Sequence, residues 1–301
     1  MTYSIVARDP ETGDFGAAVQ SHWFAAGDVC WAEPGVGVVA TQALVEMSYG
    51  PKGLDLMRRG SSSEEALHAL TAADEGAAVR QVAMVDRLGR VAAHTGEDCI
   101  RECGHRIGIG FSCQANMMWN ATVWDAMAGA FEAASGDLAE RLMVALEAGE
   151  GEGGDIRGRQ AARILVVRAE PSAEPWTDVL VDLRVDDHEA PLVELRRLLG
   201  LKRAYDRLDR SEKLELAGDL EGALAEQRAA KAEMPGNTEA AFWLAISLAS
   251  NDRLDEARET MRVAFEAYRG WAELLRRLAR DGNLDVPREA LEALLPDEAR
   301  G

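Results

Sequence analysis

The sequence predicts an α+β chain: two stacked antiparallel sheets between two helical layers, followed by an all-α region. Three observations carry this. Short β-branched and small-residue runs come in hairpin pairs, strand runs alternate with helix runs in blocks rather than one for one, and from residue 191 onward the periodicity is helical. Block alternation favours antiparallel sheets, because parallel neighbours each need a crossover.

TYSIVARD and FGAAVQS flank the Pro/Gly/Asp turn PETGD, so residues 2–21 read as a β-hairpin. GVGVVATQAL is a third strand, buried through Val38 to Ala40. YGPKGLDLMRRG and SSSEEALHALTAAD then read as two helices, the second capped by Ser63. RQVAMVDRLGRVAAHTG is a hairpin turning at Asp86 to Gly89, and HRIGIGFSCQAN is one further strand with a polar end. The stretch TVWDAMAGAFEAASGDLAERLMVALEAGEGEGGD gives two helices broken at Ser135-Gly136 and ends in a Gly-rich loop. RQAARILVVRAE and WTDVLVDLRVDD pair as the last strands, and the sheet pattern stops between Asp186 and Pro191. The organisation is therefore a mixed domain over 1–190, a charged helical connector over 191–210 and helices over 211–301.

In that last region Leu220, Ala223 and Ala230 recur 34 residues later as Leu254, Ala257 and Ala264. The pattern resembles tetratricopeptide repeats, with Leu244, Ala245 and Leu248 in the matching first helix. About two repeats and part of a third, near Trp271 to Leu278, are readable, fewer than such arrays need alone. An apolar face with Phe242, Trp243, Leu248, Phe265 and Trp271 is expected to need cover, which predicts a homodimer in which the repeats touch either the partner or their own first domain. A protein or peptide partner and a purely packing role both remain open for the repeats.

A net charge of −19 over 301 residues argues against nucleic acid and anionic membranes as partners. No apolar run is long enough for a membrane span and no secretory leader is recognisable, so a cytoplasmic location is expected. Cys99 and Cys103 lack a matching second pair, so no metal site is expected, and Cys30, Cys99, Cys103 and Cys113 all read as reduced, partly buried thiols. The absence of G-x-S-x-G, Walker and H-E-x-x-H patterns removes the usual serine hydrolase, nucleotide and zincin readings, and no cofactor is implied.

The stretches TYSIVARDPETGDFGAAVQS, GVGVVATQA, SYGPKGLDLM, GHRIGIGFSCQAN and GGDIRGRQAARILVV resemble successive motifs of the family called domain of unknown function 1028, over roughly residues 2 to 185. The resemblance implies an N-terminal nucleophile hydrolase-like fold, a four-layer αββα sandwich. It also implies a first residue that attacks an amide carbonyl after processing. Here Met1 would be removed and Thr2 would carry both nucleophile and base, its α-amine having a pKa of about 8. No lysine precedes Lys52 to depress that amine, and Arg8 lies about 20 Å along the strand.

Ser4 shares the face of Thr2 and reads either as a second catalytic hydroxyl or as a polar residue paired across the sheet. Asn116 and Gln114 end a strand with amides able to stabilise an oxyanion or orient a substrate, or else to satisfy loop backbone. Asp155, Arg157 and Gln160 form the second constellation, in which Arg157 either clamps a substrate carboxylate or pairs internally with Asp155. His22 joins the substrate-binding candidates, and His94 and His105 are possible acid-base groups. The expected function is amide-bond hydrolysis of a small-molecule substrate. The alternative is a non-catalytic ligand-binding or scaffolding protein.

Overall fold

Small and β-branched residues dominate the first twenty positions because both faces of their strands are covered. The computed structural model describes residues 2–282 and 286–295 and divides into two units, Met1–Arg197 and Leu198–Gly301. In chain order the elements are β1 (Thr2–Arg8), β2 (Phe15–Ser21), β3 (Cys30–Glu33), β4 (Gly37–Ala43), α1 (Tyr49–Arg58), α2 (Ser63–Ala72), β5 (Arg80–Asp86), β6 (Val91–Thr95), β7 (Gly104–Gly108), β8 (Phe111–Asn116), α3 (Val123–Ala133), α4 (Leu138–Gly151), β9 (Ala161–Val167) and β10 (Val179–Val185). Then come α5 (Pro191–Leu216), which contains the division, α6 (Leu220–Glu233), α7 (Thr238–Ser250), α8 (Leu254–Ala267), α9 (Gly270–Asp281) and α10 (Arg288–Leu294). The chain is thus a mixed α+β protein with antiparallel sheets, ten α-helices among the described residues, and a helical C-terminal region. No helix among them is long and apolar enough to cross a membrane.

The first unit holds a six-stranded sheet, β10-β9-β2-β1-β8-β7, and a four-stranded one, β3-β4-β5-β6. Alternation decides which side chains meet between them. Val6, Phe15, Ala17, Val19, Leu165 and Val167 of the larger sheet share one buried cluster with Val38, Ala40, Ala83 and Val85 of the smaller. The opposite face of the smaller sheet packs Val39, Val82 and Met84 against Tyr49, Leu54 and Met57 of α1 and Leu67 of α2. The opposite face of the larger sheet meets α3 and α4, where Phe111 stacks on Phe131 at 4.7 Å and a Cβ at Gly149 would strike Met127 and Tyr3.

Three expectations are corrected. HRIGIGFSCQAN is not one strand but a hairpin, β7 and β8, because Gly110 takes a left-handed φ of 75° and turns the chain at Ile109. Strand β3 was not anticipated, since Trp31 and Glu33 interrupt the apolar pattern at a sheet edge. The cap of α2 is Ser62, whose hydroxyl accepts from Glu65 N–H in a capping box, while Ser63 donates to the Arg90 carbonyl.

Within the second unit Ala223, Ala230, Ala257 and Ala264 are fully buried, which permits close helix approach. The expected unpartnered apolar face is also corrected. Phe242 and Leu248 are fully buried in the unit's own cluster, against which Trp243, Phe265 and Trp271 pack. Helix α9, in the partial third repeat, adds Leu275 to that cluster, and α10, not read from the sequence, adds Leu291 and Leu294.

Candidate functional site

One end of the inter-sheet space is polar. Thr2 begins β1, a central strand, and its register partners are Ser21 on β2 and Asn116 on β8. Its hydroxyl donates to Ser21 Oγ at 3.0 Å. Its carbonyl accepts from Gln42 Nε2 at 3.0 Å and from Asn116 Nδ2 at 3.4 Å. The expected loss of Met1 concerns a residue outside the described ones.

Gln81, on β5, organises these amides. Its Oε1 accepts from Gln42 Nε2 at 2.7 Å and from Asn116 Nδ2 at 2.9 Å, so both groups on the Thr2 carbonyl are held by one residue. Its Nε2 donates to Thr95 Oγ1 at 2.9 Å, to Gly104 O at 3.0 Å and to Ala115 O at 2.9 Å. Thr95 Oγ1 lies 2.8 Å from His105 Nδ1. Burial, and secondarily His94, lower the His105 pKa, which keeps the ring neutral and one nitrogen able to accept.

Ser4 is fully buried; its hydroxyl donates to Gln42 Oε1 at 2.7 Å and accepts from Gln114 Nε2 at 3.2 Å. Gln114 also donates to Ala40 O at 3.1 Å, while its Oε1 and the Ser112 hydroxyl are buried without a hydrogen-bond partner. A buried orphan costs about 1–3 kcal/mol, so this end of the core is less stable than an apolar one would be. Tyr3, between these residues in sequence, points to the other face, where its phenol donates to Glu150 at 2.7 Å. Burial, then the Glu150 carboxylate, push that phenol well above its ordinary pKa, so it supplies no base.

A second cluster forms around Asp155, nearly fully buried in the loop after α4. Its carboxylate accepts from His22 N–H at 3.0 Å, from Arg157 N–H at 2.9 Å and from Arg157 Nη2 at 2.8 Å. The Arg157 fork is therefore engaged by Asp155, and the pair fixes the loop. The His22 ring lies 3.3 Å from the Arg159 carbonyl, and Gln160 donates to Asp187 at 3.0 Å, away from Asp155.

The structure thus brings Thr2, Ser4, Gln114 and Asn116 into one network and Asp155, Arg157 and His22 into another. Sequence reasoning missed Ser21, Gln42, Gln81 and Thr95, the partner of the His105 it had named. A signal existed: Gln42 continues the inward alternation Val38, Ala40, and Gln81 begins the alternation Ala83, Val85.

Backbone strain concentrates nearby. Ala25 (φ 54°), Ala43 (φ 72°) and Met117 (φ 57°) are left-handed without being glycine; Ala43 ends β4, and Ala25 and Met117 follow β2 and β8, at the end where Thr2 sits. Each such residue costs about 1–3 kcal/mol and persists only where its surroundings over-determine it, as functional loops do.

Compared with known proteins, residues 2–195 match the family of unknown function DUF1028. Comparison with the curated proteins finds no match. Among solved structures the chain is similar to the crystal structure of a Silicibacter pomeroyi protein assigned to DUF1028, with 34% identity and a TM-score of 0.60, covering 66% of this chain and 84% of that one.

Proposed function

The chain belongs to the DUF1028 family of unknown function, and we propose on that premise that its first unit is an amide-bond hydrolase of the N-terminal nucleophile type acting on a small molecule. The layers, with α1 and α2 against one sheet and α3 and α4 against the other, support reading it as the αββα sandwich of such enzymes. The observation that carries the proposal is the treatment of Thr2. Its hydroxyl is hydrogen-bonded to Ser21 and its carbonyl is held by two side-chain amides, an investment of buried polar groups that strand pairing alone does not require.

In this reading, removal of Met1 frees the Thr2 amine. The amine takes the hydroxyl proton as Oγ1 attacks the amide carbon, and then delivers it to the departing nitrogen. The C–N bond breaks as the Oγ1–C ester forms, and water cleaves that ester to restore Thr2. Ser21 orients the hydroxyl, Gln42 and Asn116 hold the Thr2 backbone, and Ser4 supports Gln42 from below. Because Asp155 engages Arg157, a substrate carboxylate clamp is not part of the proposal. We assign the C-terminal unit as a tetratricopeptide-like array, supported by its four buried alanines at matching positions.

Intact-mass analysis of the purified chain, together with labelling by a β-lactone, tests the mechanism. Loss of Met1 and acylation at Thr2, absent in Thr2→Ala, are expected. A chain that keeps Met1 in full and remains unlabelled supports instead a ligand-binding protein without the nucleophile machinery.

A further inference from the structure

The segments that leave the sheets beside Thr2 are apolar and exposed. Ser21 and Asn116 flank Thr2 in register, so the chain running on from each starts at its side. The first carries Trp23 (67% exposed) and Phe24 (65%), and the second carries Trp119 (60%). Gln42, which bonds the Thr2 carbonyl, lies two residues before Leu44 (60%) and five before Met47, also exposed. A fourth segment is tied in where Ile156 N–H donates to the Met117 carbonyl at 3.2 Å, and the Ile156 side chain is exposed too. Three of these segments contain or adjoin the left-handed residues Ala25, Ala43 and Met117. Large apolar side chains and locally strained backbone therefore coincide around one residue.

Charge narrows the ligand. The segment after β8 carries no ionisable group before α3, and those after β2 and β4 add His22, Asp28 and Glu46. Three of the nearby arginines already hold carboxylates: Arg157 on Asp155, Arg159 on Glu150 and Arg80 on Asp74. An anionic ligand would find these arginines already engaged, and Arg184 likewise held by Asp28, whereas an uncharged apolar one would cover indole and aliphatic surface.

We infer that these loops form the recognition surface for an uncharged, apolar acyl group, so that the substrate class is an aliphatic or aromatic carboxamide. The inference rests on the reading of Thr2 as the reacting residue. Octanamide and succinamate, which share a primary amide and differ in the charge of the acyl tail, are the probes. Calorimetric titration of the full-length Thr2→Ala chain should show octanamide binding and no succinamate binding. Trp23→Ala and Trp119→Ala in that background should each weaken octanamide about tenfold at unchanged melting temperature.

Absence of octanamide binding, or binding that both tryptophan variants leave intact, overturns the inference. So does hydrolysis of succinamate but not octanamide by the wild-type chain, which would leave the hydrolase reading standing. Octanamide binding that follows Trp23 and Trp119 without any turnover supports the recognition surface and sinks the hydrolase reading instead. A dimer in sedimentation that Trp23→Ala or Trp119→Ala dissociates would show the surface to be covered by a second copy, and also overturns the inference.

Discussion

Replacing Gln81 by alanine should be among the most damaging single changes in the first unit. The side chain is fully buried; Oε1 accepts two hydrogen bonds, and the two N–H groups of Nε2 are shared among the three acceptors Thr95 Oγ1, Gly104 O and Ala115 O. Alanine leaves one N–H of Gln42 and one of Asn116 without an acceptor in a space closed to solvent. At about 1–3 kcal/mol for each orphan, the loss is about 3 kcal/mol before any cavity term is added. A destabilisation of that size lowers the melting temperature by about 6–12 °C in a unit of this length. Urea unfolding followed by circular dichroism measures it as a fall in midpoint at constant slope. The companion Gln81→Glu separates polarity from packing. It keeps the acceptor, loses the donors, and sets a buried carboxylate against the Gly104 and Ala115 carbonyls. Its folded-state pKa is therefore raised, so its stability is greatest below the ordinary carboxylate range and is lost as pH rises through the folded value. A loss under about 1 kcal/mol in Gln81→Ala, or a Gln81→Glu stability that does not respond to pH, would refute the network as the organiser of this end of the core.

Two further outcomes follow from the electrostatics. The Arg80 guanidinium, the Gly76 N–H and the Tyr49 hydroxyl hold the Asp74 carboxyl down at about 2. The stability it contributes is present above its unfolded pKa of about 3.9 and disappears as pH falls through the folded value; Asp74→Asn should flatten that acid limb in urea midpoints measured against pH, and an unchanged limb would count against the pairing. Burial pushes the Cys30 thiol up to about 12, partly offset by Arg163, and drives Cys113 well above its usual value. Iodoacetamide at mildly alkaline pH should therefore modify half-buried Cys103 first and leave Cys30 and Cys113 unmodified until unfolding; peptide mass mapping reads the order, and early modification of Cys113 would contradict the packing of β8.

Much of the fold was legible because period and turn chemistry agree locally. The β1–β2 hairpin, the break between α3 and α4 at Ser135-Gly136, and the β9–β10 pair each carry a hydrophobic period bounded by turn residues. Where one Gly-rich run held both a strand and its reversal, as at Gly108 to Gly110, periodicity had no residue left to mark the turn. The site was legible only in part for a different reason. Thr2, Ser4, Gln114 and Asn116 lie on two neighbouring strands and can be picked out by parity. Gln42 and Gln81 belong to the other sheet, and their meeting with Thr2 depends on face-to-face packing that no local pattern encodes. The Arg157 reading failed to choose between clamp and internal pair because an arginine fork two residues from an aspartate is equally suited to either.

The division of the inter-sheet space also bears on why a costly polar end persists. Between the same two sheets, one part is the dense cluster of Val6, Phe15, Val19, Val38, Val85 and Val167, and the other is a lattice of glutamines, an asparagine and hydroxyls. The apolar part supplies the cohesion that lets the polar part carry two unpartnered groups, the Ser112 hydroxyl and the Gln114 amide oxygen, with three left-handed residues at the adjoining strand ends and loops. If the polar end served stability alone, apolar replacements of similar volume, such as Gln114→Met, would be neutral or stabilising without consequence elsewhere. If it serves to hold Thr2, the same replacement should raise the melting temperature while lowering β-lactone labelling of Thr2. Ser4 would then lose the amide that supports it opposite Gln42, and the position of Gln42 on the Thr2 carbonyl would loosen. The opposite signs of the two readouts in one variant separate a functional polar core from an imperfect structural one.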